Sequence, residues 1–415
     1  MLEKNKVYNG DCLALMGDLD DLSVDMIFTD PPYALGSKVI IKSDGKPDYS
    51  KAVDFMGRWD MPDGKFWETW FKQAFKVMKH GAYCLVFGLD RQLLPFKYYA
   101  TLAGFEEQES LYWFFCSNFP KAVNLGKGID RLAGVERKVI GFQKFSEWSS
   151  TGVMNSGSCG LTKTEVPITE PVTDLAKKYD KYKYGVAALK QTNETILVFK
   201  KPYKTGSCLH DVMAMENGDK TITCGALNIE GNRVGDETFI AVSDERTSKG
   251  KYGDRVWATP ERVGTFPTQT FIDGEAKDIL EKQRGGNTKG VQVCDYGRGD
   301  FDIYHYCPKT ATSERNEDNN DHVTVKPLAL IVKILSLFKT PNKQLILDPF
   351  AGSGTTGVAC KHLYQDYILM EKDPKYYEIA VNRVEKQSIL DMFGEPVESE
   401  TKEPVESENL LDLLS

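Results

Sequence analysis

Val24-Asp25-Met26-Ile27-Phe28-Thr29-Asp30-Pro31-Pro32-Tyr33 is the stretch that decides the fold. Val24 to Phe28 reads as a short buried strand, and the two prolines, with fixed φ and no N–H, must end it. A residue before proline is pushed out of helical conformation, so Asp30 stays extended. The product is a rigid ledge at the carboxyl end of a strand, carrying one carboxylate, stiff carbonyls and one ring. In open α/β sheets ligands bind at that end. An acceptor pair beside an aromatic face suits a flat, amino-bearing ring. Taken alone, the same residues also fit a turn with a capping Asp and a packed Tyr.

Working outward, Val7-Tyr8-Asn9-Gly10-Asp11-Cys12 reads as a strand and turn, with Asp11 able to cap the helix through Leu13, Leu15 and Met16. The opening is therefore β-α-β, the pattern of a parallel sheet. Ala34 to Asp60 is polar and glycine-bearing and reads as a long mobile loop, a length usually kept for function. Phe66 to Lys79 has helical apolar spacing, and its aromatics read as core. Ala82 to Phe87 is the next strand, Asp90 starts another helix, and Leu111 to Phe115 is an aromatic strand. Residues 1–116 thus form one half of a Rossmann-like, doubly wound, mostly parallel α/β domain.

From 117 to 308 the α/β alternation fades, apart from an internal strand at Thr192 to Phe199. This block reads as a large insertion. Lys177 to Lys204 holds eight lysines against Asp180 and Glu194, interleaved with Tyr179, Tyr182, Tyr184 and Tyr203. Lysines with aromatics suit phosphate contacts and base stacking, and equally a solvated face. The α/β pattern returns in 309–394: a helix at Leu328 to Phe338, strands at Gln344 to Asp348 and Tyr367 to Glu371, and a last helix from Lys375. In 395–415, Glu-Pro-Val-Glu-Ser-Glu occurs twice and seven acids face Lys402 alone, so this tail is expected to be disordered.

The net charge of -8 looks wrong for a nucleic-acid binder, but the tail accounts for most of it. No apolar run approaches the ~18 residues that span a membrane, and the start lacks a signal-peptide core, so a cytoplasmic protein is expected. Nine scattered cysteines without a Cys-x2-Cys pair argue against a zinc site and a disulfide framework.

A second constellation follows the strand to Asp348: Pro349-Phe350-Ala351-Gly352-Ser353-Gly354-Thr355-Thr356-Gly357. Glycines in a GxGxxG spacing between strand and helix, with the acid Glu371 at the next strand end, describe an adenosine site. A phosphate loop would need Lys where Val358 stands. A nicotinamide dinucleotide fits the glycine spacing, but Asp348 places a carboxylate where a pyrophosphate wants N–H groups. An Asp there suits a ligand bearing an ammonium, such as S-adenosylmethionine.

Asp30-Pro31-Pro32-Tyr33 early and Asp348-Pro349-Phe350-Ala351-Gly352-Ser353-Gly354 late, in that order, resemble the β-class amino-group DNA methyltransferases, including members carried by phages and prophages. Gly10-Asp11-Cys12-Leu13, His322-Val323-Thr324-Val325-Lys326-Pro327 and Glu371-Lys372-Asp373-Pro374 are similar too, so the likeness spans about 5 to 390. Val323 stands where the family usually has Pro, and Tyr184 to Gln191 departs from the family's usual insertion motif.

The resemblance implies methyl transfer from S-adenosylmethionine to an exocyclic amino group in double-stranded DNA, with no metal. Asp30 at the first ledge position favours adenine; cytosine is the alternative. It implies Asp30, Pro31, Pro32 and Tyr33 as catalytic residues. It implies Asp11 on the cofactor's adenine, Glu371 on its ribose, Gly352 and Gly354 beneath it, and Asp348, Phe350 and Lys326 toward its methionine end. The insertion would be the target-recognition region. A homodimer and a cognate restriction enzyme are compatible with such a protein.

Overall fold

The computed structural model describes residues 2–32, 38–44, 46–51, 64–115, 121–144, 165–187, 189, 191–239, 262–272, 305–306 and 325–386. Tyr33, Lys190, His322 to Thr324 and the acidic tail lie outside the described residues.

Ten strands form one sheet. In chain order they are β1 (Lys6–Asn9), β2 (Val24–Thr29), β3 (Met78–Gly88), β4 (Glu106–Glu107), β5 (Leu111–Phe114), β6 (Asn193–Lys200), β7 (Thr270–Ile272), β8 (His305–Tyr306), β9 (Leu345–Asp348) and β10 (Asp366–Glu371). Across the sheet they run β1-β10-β9-β2-β3-β6-β5-β7-β8, with β4 beside β6. The strands from β1 to β3 are mutually parallel. β6 is antiparallel to both β3 and β5.

Parallel strands need crossovers, and the helices supply them on both faces. Helices α1 (Cys12–Gly17), α2 (Gly64–Val77) and α3 (Asp90–Ala103) cover one face. Trp67, Trp70 and Phe71 of α2, all at most 1% exposed, pack there against Phe96 and Phe199. The spacing of Trp67, Trp70, Phe71, Ala74 and Val77 puts every one of them on the sheet side. Helices that later in the chain become α7 (Leu328–Leu337) and α8 (Thr355–His362) bury Leu330, Ile331, Ile334, Val358 and Ala359 on the other face. The last helix, α9 (Pro374–Lys386), begins with the proline that suits a first helical turn.

β2 leads through α2 to β3 on one side, and β9 leads through α8 to β10 on the other. The sheet therefore reverses direction between β9 and β2, and the carboxyl ends of these two strands flank the switch point.

Two sequence expectations change. Within the stretch read as a mobile loop, Lys38–Ile41 and Pro47–Lys51 pair as an antiparallel hairpin, and Tyr49 packs against the α2 core. The 117–308 block also contributes β6, β7 and β8 to the central sheet, because Ile196, Leu197, Val198 and Phe199 are apolar on both faces and need cover on both.

What stands apart from the sheet is a small module around α4 (Leu125–Leu132) and α5 (Asp174–Tyr179). It includes the ladders Lys138–Lys144 with Glu165–Glu170 and Lys121–Asn124 with Lys183–Ala187. Its centre is polar: Asp130, fully buried, accepts from the N–H groups of Val172 and Thr173 and the Thr173 hydroxyl, and pairs with Arg137 at 3.3 Å. A buried carboxylate with that many donors is compensated for its desolvation.

Helix α6 (Cys208–Glu216) is anchored by Asp211, which accepts from the N–H groups of Lys204 and Thr205. No described helix is long and apolar enough to cross a membrane.

Candidate active site

Asp30 sits one residue past β2, at the switch point. Its Oδ2 accepts from the ammonium of Lys326. Its Oδ1 is buried and has no hydrogen-bond partner among the described residues. A buried carboxylate oxygen left unsatisfied is uncommon and costly, so among the described residues Oδ1 is an acceptor open to a further donor. Pro31 is buried behind it. The carbonyl of Pro32 accepts from Nε2 of Gln92, at 2.9 Å, so α3 pins the ledge. Gln92 is 2% exposed and its Oε1 also accepts from Leu89 N at 3.4 Å.

Lys326 is placed on this ledge. It is 7% exposed, lies 3.4 Å from Oε2 of Glu194 as well as against Asp30, and sits 4.9 Å over the ring of Phe87. Burial alone would lower its pKa, but the two carboxylates outweigh that and hold it above the ordinary lysine value. The ammonium stays charged.

Asp348 ends the neighbouring strand β9. Its Oδ1 accepts from the hydroxyl of Thr29 at 2.7 Å and from Phe350 N at 3.1 Å, and its Oδ2 from the hydroxyl of Thr356 at 2.6 Å. Burial pushes its carboxyl up to about 6, against those hydrogen bonds. The side chain thus ties β2, β9 and α8 together at the switch point. Phe350 packs against Trp67 and Trp70 of α2, with ring centroids 6.1 and 6.0 Å away.

The glycine loop has its own logic. Gly354 takes φ 81, and a Cβ there would lie 3.0 Å from Cβ of Ala380. At Gly357 a Cβ would lie 2.6 Å from Leu369. These two glycines let α8 approach α9 and β10. Gly352 donates its N–H to Oε2 of Glu371 at 2.9 Å, while Oε1 accepts from Asp373 N at 2.8 Å. Burial raises the Glu371 carboxyl above its usual value. With Gly352 N engaged by Glu371, and Asp348 hydrogen-bonded to Thr356 in the first turn of α8, negative charge already stands where a pyrophosphate would go. That weighs against the dinucleotide reading.

Asp11 caps α1, accepting from Leu13 N at 3.0 Å, and its other oxygen accepts from Lys372 at 3.1 Å. Gly10 N donates to the Glu371 carbonyl at 3.0 Å, so Asp11 and Glu371 stand side by side at the ends of β1 and β10. The fold therefore gathers Asp11, Glu371, Gly352, Asp348 and Asp30 along one edge of the sheet. Tyr33 lies outside the described residues. No cluster of three or more metal-ligating side chains occurs among the described residues.

Three residues of the site were not singled out from sequence. Gln92 and Arg383 are polar side chains on apolar helical stripes, at four-residue spacing from Phe96 and Ile379 respectively, and that placement is the signal that finds them. Arg383, 1% exposed, donates to the carbonyl and hydroxyl of Ser353 and to the hydroxyl of Thr355, bracing the glycine loop. Glu194 looked like one acid within a lysine run.

The lysine run itself divides. Lys177, Lys178, Lys181 and Lys183 are exposed on the small module, near Tyr182 and Tyr184, which are 61% and 52% exposed. Lys200 and Lys201 are buried. Lys201 donates to the carbonyls of Phe75 and Met78 and so caps the end of α2.

The chain is 48% identical over 69 residues to the type II methyltransferase M.HindIII of Haemophilus influenzae, covering 17% of this chain and 22% of that protein. It is 31% identical over 108 residues to the type II methyltransferase M.HpaI of Haemophilus parainfluenzae, covering 26% and 29%. The matched stretches thus span less than a third of these relatives. Among solved structures, an M1.HpyAVI–SAM complex aligns with TM-score 0.39 and 16% identity over 91% of this chain and 98% of that one. The PvuII DNA methyltransferase, described as cytosine-N4-specific, aligns with TM-score 0.40 and 12% identity, covering 92% and 87%. A family model described as DNA methylase matches residues 24–382. With most of its length inside that match, the chain belongs to the N6/N4 DNA methylase family.

Proposed function

We propose that the protein is a site-specific DNA methyltransferase that moves a methyl group from S-adenosylmethionine to the exocyclic amino group of adenine in double-stranded DNA. The observation that carries this reading is Oδ1 of Asp30, a buried acceptor with no described partner at the switch point of the sheet.

The residues along the same edge fit the cofactor. Glu371, its oxygens already oriented by Gly352 and Asp373, takes the ribose hydroxyls; Asp11 takes the adenine amino group. When bound, the cofactor supplies an electrophilic methyl group on a sulfonium. The target base leaves the duplex to reach the ledge, where Tyr33 stacks on it.

Asp30 Oδ1 accepts one amino hydrogen and the Pro31 carbonyl the other. An exocyclic amino nitrogen delocalises its lone pair into the ring, and these two acceptors favour a more tetrahedral nitrogen whose lone pair faces the methyl. Asp30 opposes the positive charge that develops on that nitrogen and takes the proton it sheds. Gln92 keeps the ledge from shifting. Recognition falls to the module around α4 and α5, with Lys178, Lys181 and Lys183 on phosphates.

The test is incubation with methyl-labelled cofactor and mixed-sequence DNA, then mass analysis of the nucleosides. Labelled N6-methyladenine in the parent and none in Asp30→Asn is expected. N4-methylcytosine would transfer the reading to cytosine, and no labelled base would overturn it.

A further inference from the structure

Asp30 follows β2, and the glycine loop follows β9. The ladder between these strands pairs Ile346 with Met26 and Leu347 with Ile27, and it stops short of Asp348 and Thr29. Beyond that point β2 still pairs with β3, as far as Thr29 with Val86, and β9 still pairs with β10, as far as Asp348 with Leu369. At the switch point each strand end is therefore held by its outer neighbour, while the backbone ladder between the two has ended.

A buried side-chain bridge spans that gap. The Thr29 hydroxyl donates to Oδ1 of Asp348 at 2.7 Å. The hydroxyl of Thr356, the second residue of α8, donates to Oδ2 at 2.6 Å. Phe350 N donates to Oδ1 at 3.1 Å, so donors from β2, α8 and the loop itself converge on one carboxylate. Thr29, Asp348 and Thr356 are 0%, 3% and 3% exposed. With its hydroxyl engaged by Asp348 and its side chain out of reach of solvent, Thr356 acts through its neighbours rather than on a ligand.

We propose that Thr356 is a positioning residue for methyl transfer: through Asp348 and Thr29 it fixes the distance between the glycine loop and Asp30. This deepens the methyl-transfer reading and rests on it. In that reaction the amino nitrogen forms a bond to the methyl carbon as the bond from sulfur breaks, and the nitrogen sheds its proton to Asp30. A misplacement of about 1 Å is enough to slow such a displacement a hundredfold. The methyl donor rests against the glycine loop, which turns into α8 one residue before Thr356. The target amino group rests on Asp30, one residue past Thr29. A rigid bridge between these two places holds donor and acceptor at one separation without binding either more tightly, so its effect falls on kcat.

Thr356→Val keeps the β-branched shape and removes the donor. Methyl transfer to duplex DNA is followed with saturating labelled cofactor, with cofactor affinity measured by calorimetry, duplex affinity by titration and folding by thermal melts. For Thr356→Val, kcat is expected to fall by about tenfold, with both affinities within about twofold of the parent's. Thr356→Ser, which restores the hydroxyl, regains most of that loss. Thr29→Val reads the same bridge from its other end, lowers kcat alike, and carries the test if Thr356→Val does not fold. Because both hydroxyls act through one carboxylate, the double variant Thr29→Val/Thr356→Val loses less than the product of the two single losses.

The proposal is overturned if Thr356→Val keeps kcat within about twofold of the parent, or if a matching loss of cofactor affinity accompanies the fall. It is equally overturned if Thr356→Ser is as slow as Thr356→Val, or if the two single losses simply multiply. A parent that yields no labelled base overturns the underlying reading, and this inference with it; an active parent with an indifferent Thr356 overturns this inference alone.

Discussion

The hydroxyl of Thr29 donates to Oδ1 of Asp348 at 2.7 Å, joining residues 319 positions apart in the chain. This bond ties the strand that leads into the Asp30–Pro32 ledge to the strand that leads into the glycine loop. β9 pairs with β2 through Ile346 with Met26 and Leu347 with Ile27, so backbone ladder and side-chain bond together fix how the two strand ends face each other. Thr29→Val keeps the shape and removes the donor. Leaving a buried carboxylate short of one hydrogen bond should cost about 1–3 kcal/mol, readable as a lower urea midpoint with an unchanged slope. An unaltered midpoint would show that Phe350 N and Thr356 suffice.

Asp348 also predicts a pH dependence. Its folded-state pKa, pushed up to about 6 by burial, lies above its unfolded value. Between the two values the folded chain holds a proton that the unfolded chain has lost. Its contribution is therefore fully present below the ordinary Asp value and is lost as pH rises through about 6, on the order of 3 kcal/mol in all. Urea titrations from pH 4 to pH 7 on the parent and Asp348→Asn test this. The variant should lack that component of the slope; matching curves would rule out Asp348 as its source.

Gln92→Leu addresses the ledge from the side of α3. The substitution keeps bulk on an apolar stripe and removes the donor to the Pro32 carbonyl. Loss of a group that holds a reacting residue in place should lower kcat by roughly tenfold with little change in cofactor affinity. Equal kcat in variant and parent would mean that the two prolines hold the ledge unaided.

Much of this site was legible because proline and glycine act locally. Asp30-Pro31-Pro32 and Gly352 to Gly357 dictate backbone shape without help from distant residues, and both strand ends lie where those residues place them. The destination of Lys326 was not legible: the lysine follows a short Thr-Val run and its partner Asp30 is 296 positions away. Nor could local charge density show that Lys200 and Lys201 are buried. Those two lysines follow a strand that is apolar on both faces, and they inherit its burial. Glu194 opens the same strand, and its alternation with Ile196 and Val198 pointed inward.

Arg383 should prove a structural hinge of cofactor binding. Its guanidinium holds the Ser353 carbonyl, the Ser353 hydroxyl and the Thr355 hydroxyl. Arg383→Met removes the charge and all three bonds while keeping much of the volume. Expected are a loss of about 2–4 kcal/mol in stability and weaker cofactor binding, seen by denaturant titration and calorimetry. Cofactor affinity equal to the parent's would separate the loop's shape from this brace.

Lys178, Lys181 and Lys183 stand exposed on the α4–α5 module, beside the exposed rings of Tyr182 and Tyr184. Lys177 is partly engaged by Asp174 at 3.0 Å, an exposed pair of little energetic weight. Lys201, by contrast, is buried, and burial lowers its pKa to about 8. Changing Lys201 would unseat the end of α2 and say nothing about DNA.

Exposed lysines act on phosphates and so contribute an affinity that falls with salt, at a slope of about 0.9 per phosphate neutralised. The triple variant Lys178→Glu/Lys181→Glu/Lys183→Glu should therefore bind every DNA sequence more weakly and flatten the plot of log affinity against log salt by up to about 3. Cofactor affinity should stay at the parent's value, because Glu371 and the glycine loop lie on the far strands of the sheet. Titrations of a fixed duplex at four salt concentrations, on parent and variant, decide the matter. An unchanged slope would reduce these lysines to a solvated face and move the search to the hairpin of Lys38–Ile41 and Pro47–Lys51, whose Lys38, Lys42 and Lys46 follow the Asp30–Pro32 ledge in sequence.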